Sequence, residues 1–554
     1  MINVISVIID HPDHPDHPDH PDHPDHPDHP DHHFSPMINE FINSPWVEEQ
    51  LEQLSLRKRI AQLIHVPAWS NRGEAHFQEL MALVREYEIG GITFFQGTQE
   101  LQMDMTQRLQ AAAAIPLMIS IDAEWGLAMR LDGGGAMPYA MTLGEADDPK
   151  LTETLAADLA RQAKGIGVHV NFAPSVDLNT EPSNPVIGFR SFGTDKATVV
   201  EQADAYVRGM QGEGVMAVAK HFPGHGDTHQ DSHLTLPQLP HSLERLQEVE
   251  MAPFAALAKT NIGGMMTAHL QVDALDDTPV TPATLSPKII RGWLREKLGF
   301  EGMIFTDALD MKGIAAHYSM AEATMMALQA GNDAMVFCTD VPGSIDLIEA
   351  AVANGEISED IINQACRRTL AAKQWLGLDR PQQQYRVVPP SPQWEAAIQS
   401  VYHKALKPLG GATPVQSGEK VAVLPLHLSP IEDGLKHHQL TRSGAPGVNP
   451  EEAYYQSLPN VEVLNSIENV GTYDRLLVSL HGLSPKAGLK YGLTSEMIAQ
   501  VRELALLENA TLILFGRKEA LGLIFEGEVP CPVLIAWQDT REAHHAVGEW
   551  VGKD

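Results

Sequence analysis

Three cysteines in 554 residues, Cys338, Cys366 and Cys531, are too few and too scattered for a disulfide framework or a thiolate zinc site. An odd number outside any C-x-x-C pattern fits a reducing compartment. Positive charge is scarce too: 39 Lys and Arg stand against 72 Asp and Glu, a formal net charge of -33. So acidic a surface repels nucleic acid and anionic membranes, which argues against either as the main partner. No apolar run approaches the ~20 residues that span a bilayer, so membrane insertion is not expected. The opening INVISVI is short and has no Lys or Arg before it, unlike a secretory signal. Together these features predict a cytoplasmic protein.

What is present suits a globular chain with a hydrophobic content of 43% and a charged content of 20%. The length allows two domains or more, each with its own core. Residues 11–31 repeat His-Pro-Asp seven times. Proline at every third position removes backbone donors, and the tract has nothing apolar to bury. Residues 1–36 are therefore expected to be a disordered extension, with metal capture by the histidines as the competing reading. Ordinary protein sequence starts at Met37, which is a candidate for the true first residue.

From Gln62 onward, short apolar runs alternate with helix-like stretches. The runs cover 62–67, 90–97, 116–124, 168–177, 216–224, 263–270, 302–309 and 333–337, eight in all. Between them, stretches such as 74–87, 151–165, 197–211, 243–259 and 286–298 carry apolar residues at three- and four-residue spacing. Continuous apolar strands alternating with amphipathic helices indicate a parallel sheet buried on both faces. Eight such units predict an α/β fold, a (β/α)8 TIM-like barrel over residues 45–376. The stretch 377–395 is rich in Pro and Gln and reads as a linker. Residues 396–554 repeat the alternation on a smaller scale, with strands at 420–426, 474–482, 510–516 and 531–537. This predicts a smaller α/β sandwich domain. It has no glycine-rich phosphate loop and no hydrolase triad, so a structural or interaction role is expected.

Polar residues stand where the barrel runs end: Asp122 and Glu124, Asp177, Lys220 and His221, His269, Asp307. Strands end at polar residues in any case, because loops are solvated. Several acidic and histidine ends together favour a site, and in such barrels the active site lies at that rim.

The stretch KHFPGHGDTHQDSHLTLP, residues 220–237, packs four histidines and two aspartates among glycines. His225, His229 and His233 are spaced at four, as on a metal-binding helix face. Pro223 and the flanking glycines oppose a helix there, and no H-E-x-x-H is present. No metal and no cofactor are expected. A plain surface loop does not explain why Lys220 and His221 continue directly from the apolar strand. The third reading is acid/base chemistry. Asp231 and His233, one residue apart, form a carboxylate–imidazole pair with the carboxylate setting the tautomer. Asp307 ends a later strand, with Asp310 as its local rival; a carboxylate facing a proton donor across a sugar ring is the arrangement for glycoside cleavage.

These residues resemble glycoside hydrolase family 3, in its bacterial β-N-acetylglucosaminidase branch of the two-domain type. KHFPGHGDTHQDSH and FTDALDM carry the likeness, with SIDAEWG (120–126), NFAPSVDLN (171–179), NPVIGFRSFG (184–193), MTAHLQVDALDDTPVTPATLS (266–286) and AGNDAMV (330–336). The resemblance implies a retaining enzyme with Asp307 as nucleophile and His233 as general acid/base, oriented by Asp231. It implies that Asp122, Arg190, Lys220 and His221 bind sugar hydroxyls. Arg130, eight residues after Asp122, is a weaker candidate; its competing reading is a surface arginine, and it is left out. Two departures stand out: Trp125 replaces a glycine, and Phe189 sits where relatives commonly carry an acid. The substrate implied is a small carbohydrate, terminal N-acetylglucosamine on muropeptide fragments or chitooligosaccharides, cleaved in cell-wall recycling. A neutral imidazole base repels an anion less than a glutamate does, so an N-acetylglucosaminide phosphorylase is the alternative. A catalytically silent sugar-binding or scaffold protein is the alternative of another class.

Overall fold

The computed structural model describes residues 38–230, 235–380, 384–428, 461–466 and 470–552. The His-Pro-Asp tract lies outside the described residues. All eight expected barrel strands are present: β1 (Ile64–Ala68), β2 (Gly91–Phe94), β3 (Met118–Ile121), β4 (Val170–Asn171), β5 (Met216–Phe222), β6 (Gly264–Thr267), β7 (Met303–Thr306) and β8 (Met335–Val336). They run parallel in the order β8-β1-β2-β3-β4-β5-β6-β7. Phe305 bridges Ala334 in parallel, which joins β7 to β8 and closes the ring. Every residue of these strands is buried, as expected for a sheet covered by helices outside and by packed side chains within. Phe172 and Phe305 meet edge-on at 5.4 Å inside the barrel, and His65 meets Phe305 at 6.0 Å.

The helices follow local signals. Asp148 caps helix Pro149–Gly165 by accepting from the amides of Lys150 and Leu151, and Pro149 opens it. Asp195 does the same for Lys196–Gly212. These two helices pack so closely at Gly209 that a Cβ there would sit 2.4 Å from the Glu153 carbonyl oxygen. The stretch 243–259 is not one helix but two, Leu243–Glu248 and Ala252–Leu257. Pro253 starts the second, where its missing N–H costs nothing, and Glu250 turns inward to Arg245 at 3.0 Å. The stretch 286–298 is π-helical over Lys288–Lys297.

Helix Glu359–Trp375 carries a fully buried Lys373, whose Nζ donates to Gln62 Oε1 at 2.7 Å. Burial pushes this ammonium down to about 7. In the unfolded chain it titrates at about 10.4. Between these two values the unfolded chain holds more protons, so stability rises with pH from about 7 to about 10, on the order of 1 kcal/mol or more. Urea midpoints measured across that range are expected to climb, and Lys373→Met is expected to flatten the climb.

Among the described residues the second sheet has six strands, two more than expected: β9 (Lys407–Leu409), β10 (Val421–His427), β11 (Val461–Val463), β12 (Arg475–His481), β13 (Ala510–Leu514) and β14 (Val533–Ile535), in the order β9-β14-β13-β12-β10-β11. Only β9 is antiparallel to its neighbour. Helix Pro392–Ala405 begins inside the stretch expected as linker and packs on helices Pro149–Gly165 and Arg541–Val551. Gln538 fastens the sheet domain to the barrel: its Oε1 accepts from the Tyr139 amide and the Thr142 hydroxyl, both at 2.8 Å.

Candidate active site

The strand ends of the barrel open into a cavity of about 520 Å3, within the range of small-molecule sites. Asp122, Arg190, Lys220, His221 and Asp307, five of the residues singled out in the sequence, line it together. Asp231 and His233 lie outside the described residues. His225, earlier in the same histidine-rich stretch, lines the cavity.

Asp122 follows β3 and accepts from two cations, Lys220 Nζ at 2.9 Å and Arg130 Nη2 at 2.8 Å. Burial opposes its charge, but Lys220 and Arg130 outweigh it and hold the carboxyl below its usual value. Arg130 is therefore not a surface arginine. It lines the cavity, pairs with Asp122 and lies over the Phe95 ring at 4.8 Å. Glu124, two residues beyond Asp122, also belongs to the site. Its Oε1 and Oε2 take Arg190 Nη2 and Nε at 2.8 and 2.9 Å, and Lys220 Nζ lies 2.7 Å from Oε1. Burial again opposes the charge of Glu124, and Arg190 and Lys220 overcome it, so the carboxyl stays well below its ordinary range. Alternation past a strand end sets residues two apart on one side, which is the sequence signal for Glu124.

Asp177 organises the ground under the histidine-rich loop. Fully buried, it accepts from the amides of His221 and His225 at 3.1 and 2.7 Å and faces His221 Nδ1 at 2.8 Å. The other ring nitrogen of His221, Nε2, lies 3.3 Å from Arg190 Nη2. His225 is packed behind, its Nδ1 2.9 Å from Thr228 Oγ1, and burial with His221 nearby pushes it down to about 4. The loop is also fixed by a close backbone approach. A Cβ on Gly226 would sit 1.7 Å from the Leu178 carbonyl oxygen. Gly226→Ala must displace the loop or the backbone beneath it, and is expected to cost about 1–3 kcal/mol in a denaturation midpoint while lowering turnover.

Asp307 continues β7: its amide donates to the Thr267 carbonyl at 3.0 Å, and Oδ1 accepts from the Ala308 amide at 2.8 Å. His269 fixes the same turn, with Nε2 2.9 Å from the Ala308 carbonyl and Nδ1 2.9 Å from Thr284 Oγ1. Asp310 lines the cavity from a more exposed position on the rim. Anchored on strand and turn, Asp307 is the better-held carboxylate.

The two departures in the sequence meet in space. Trp125 lies 5.5 Å from Phe189, and both touch Tyr139, at 5.4 and 4.6 Å. Trp125 is 6% exposed and borders the cavity with Phe189. Lys486, from the segment after β12, reaches the same cavity, so the second domain supplies part of its rim. Composition gave no sign of that contribution, because it depends on how the domains dock.

A rim of buried carboxylates and paired cations above a (β/α)8 barrel is the kind of site at which barrel enzymes act, and its groups can accept from and donate to hydroxyls. Comparison with known proteins gives the family. Residues 55–372 match the Glycosyl hydrolase family 3 N terminal domain. Beta-hexosaminidase A of Pseudoalteromonas piscicida is 38% identical over 280 residues, 46% of each chain. Beta-hexosaminidase LpqI of Mycobacterium tuberculosis is 34% identical over 335 residues, 58% of this chain and 83% of that one. A solved family 3 β-N-acetylglucosaminidase from Paenibacillus sp. FPU-7 superposes with a TM-score of 0.74 at 27% identity, covering 90% of this chain and 97% of that one. The chain belongs to glycoside hydrolase family 3. It spans just under half the length of the Pseudoalteromonas relative and most of the mycobacterial one.

Proposed function

We propose that this chain is a retaining, exo-acting β-N-acetylglucosaminidase that releases terminal N-acetylglucosamine from muropeptides or chitooligosaccharides, acting in the cytoplasm in cell-wall recycling. The observation that carries the reading is the pairing of Asp122, between Lys220 and Arg130, with a strand-anchored Asp307 on the same cavity. Relatives named β-hexosaminidase support the substrate class.

In this reading Asp122 accepts from vicinal hydroxyls of the terminal sugar, while Arg190, Lys220 and His221 bind its remaining oxygens. The Asp307 carboxylate attacks the anomeric carbon as the glycosidic bond breaks. His233, held in its tautomer by Asp231, gives its proton to the departing oxygen. The imidazole then takes a proton from water, whose oxygen replaces Asp307 at the anomeric carbon.

The test is a chromogenic N-acetylglucosaminide, with and without phosphate, followed by trapping with a fluorinated slow substrate and peptide mapping. Release of free sugar, with label on the peptide carrying Asp307, is the expected result. Sugar 1-phosphate as product would make the enzyme a phosphorylase. Binding without release would make it a silent receptor. Label on another carboxylate would overturn the nucleophile.

A further inference from the structure

Outside the sugar cavity, two groups of histidine and carboxylate side chains converge among the described residues: Asp227, His241 and Glu250, and His481, Asp539 and His544. The first already holds a cation. Arg245 Nη2 lies 2.7 Å from Asp227 Oδ2 and 3.0 Å from Glu250 Oε1. The second group has a different character.

We propose that His481, Asp539 and His544 form a binding site for a first-row divalent cation, zinc foremost, at the carboxyl edge of the second sheet. This proposal is independent of the sugar chemistry.

The topology favours a ligand at this place. The chain leaves β10 to build β11 on one side, then returns to build β12 on the other. In open parallel sheets such a reversal leaves a crevice beyond the carboxyl ends of the two strands, where ligands bind. His427 and His481 end β10 and β12, are register partners, and stack at 5.1 Å. Asp539 follows β14, and His544 lies in the first turns of helix Arg541–Val551.

The donor atoms also converge. His544 Nε2 lies 2.7 Å and His481 Nδ1 3.4 Å from the same Asp539 Oδ1, and all three sit within 4.8 Å of one another. Ligands on a tetrahedral zinc at about 2.0–2.1 Å are roughly 3.4 Å apart, so adjustments of about 1 Å seat the ion. Two imidazoles and one carboxylate are a familiar ligand set for zinc and its neighbours.

Outer contacts hold the ligands in this attitude. Ser479 Oγ lies 2.9 Å from His481 Nε2, which turns Nδ1 inward, and the Gly482 amide donates to Asp539 Oδ2 at 2.6 Å, which leaves Oδ1 facing the rings. When the ion binds, the His481 proton resides on Nε2 against Ser479, and Nδ1 gives its lone pair to the metal. The ion also has a way in. The imidazoles of His481 and His544 are 1% and 4% exposed, but Asp539 is 21% exposed and borders an interdomain cleft of about 770 Å3. Water or a cleft ligand completes the coordination from that side.

The experiment uses the full chain, stripped with chelator and titrated with zinc by calorimetry at neutral pH, beside thermal melts with and without zinc. Any zinc taken up by the N-terminal histidine tract is common to every variant. The wild type is expected to bind one equivalent more than His481→Ala, Asp539→Asn or His544→Gln. Its Tm is expected to rise with zinc, while that of the variants stays put. Ser479→Ala, which keeps all three ligands, is expected to weaken the site by about 10-fold or more. If His481→Ala fails to fold, Asp539→Asn and His544→Gln decide, since both keep side-chain volume. Equal stoichiometry and equal melting response in the wild type and these two variants overturn the proposal, as does a wild type whose melting zinc does not shift.

Discussion

Asp307→Asn is expected to cut release from a chromogenic N-acetylglucosaminide by about 10⁴-fold or more, because the amide cannot form the glycosyl-enzyme bond. The substitution is nearly isosteric. Its carboxamide oxygen keeps the bond from the Ala308 amide, and the main chain keeps its tie to Thr267. A loss of that size, with unchanged melting and unchanged sugar binding, separates chemistry from folding. Asp310→Asn, on the exposed rim, is the matched control and is expected to leave release nearly intact. Residual activity above about a tenth in Asp307→Asn, or a collapse in Asp310→Asn, would move the nucleophile to the rim.

The barrel was legible because a parallel strand buried on both faces is written as an unbroken apolar run, and all eight runs became strands. The edge strands Lys407–Leu409 and Val461–Val463 escaped because they are three residues long and partly exposed, too short for a pattern to show. The single helix expected over 243–259 failed for a local reason. Arg245 draws Glu250 inward while Pro253 restarts the helix, and the apolar spacing continues across the break.

The site was legible at strand ends and obscure across them. Asp122 and Lys220 were visible as polar residues closing apolar runs. That Lys220 serves both Asp122 and Glu124 depends on strands far apart in sequence meeting in the barrel, and Arg130 completes the cluster through the turn that follows β3. Trp125 and Phe189 were each noticed as departures. Their contact explains them as a pair, since an acid at 189 would press a charge against the indole and the Tyr139 ring. Aromatic surface at that wall suits the apolar face of a sugar ring. Lys486 belongs to a third category, supplied by a domain whose sequence shows no catalytic pattern.

His233→Ala tests the remaining half of the proposed chemistry. A general acid contributes about 10²–10⁴-fold when the leaving group is basic, and little when the leaving group departs unaided. Hydrolysis of an unactivated disaccharide or muropeptide is therefore expected to fall by about 10³-fold, while formation of the glycosyl-enzyme from an activated aryl glycoside falls far less. Breakdown of that intermediate still needs the imidazole as base, so the activated substrate should show a burst followed by slow turnover. Added azide, an anion that needs no deprotonation, should speed the second step in the variant. Asp231→Asn should show a weaker form of the same pattern, because the imidazole remains but loses the carboxylate that sets its tautomer. Asp177 takes the amides of His221 and His225, ahead of both substituted positions in the chain. Equal losses on both kinds of substrate, with no burst and no azide response, would take the proton-transfer role away from His233.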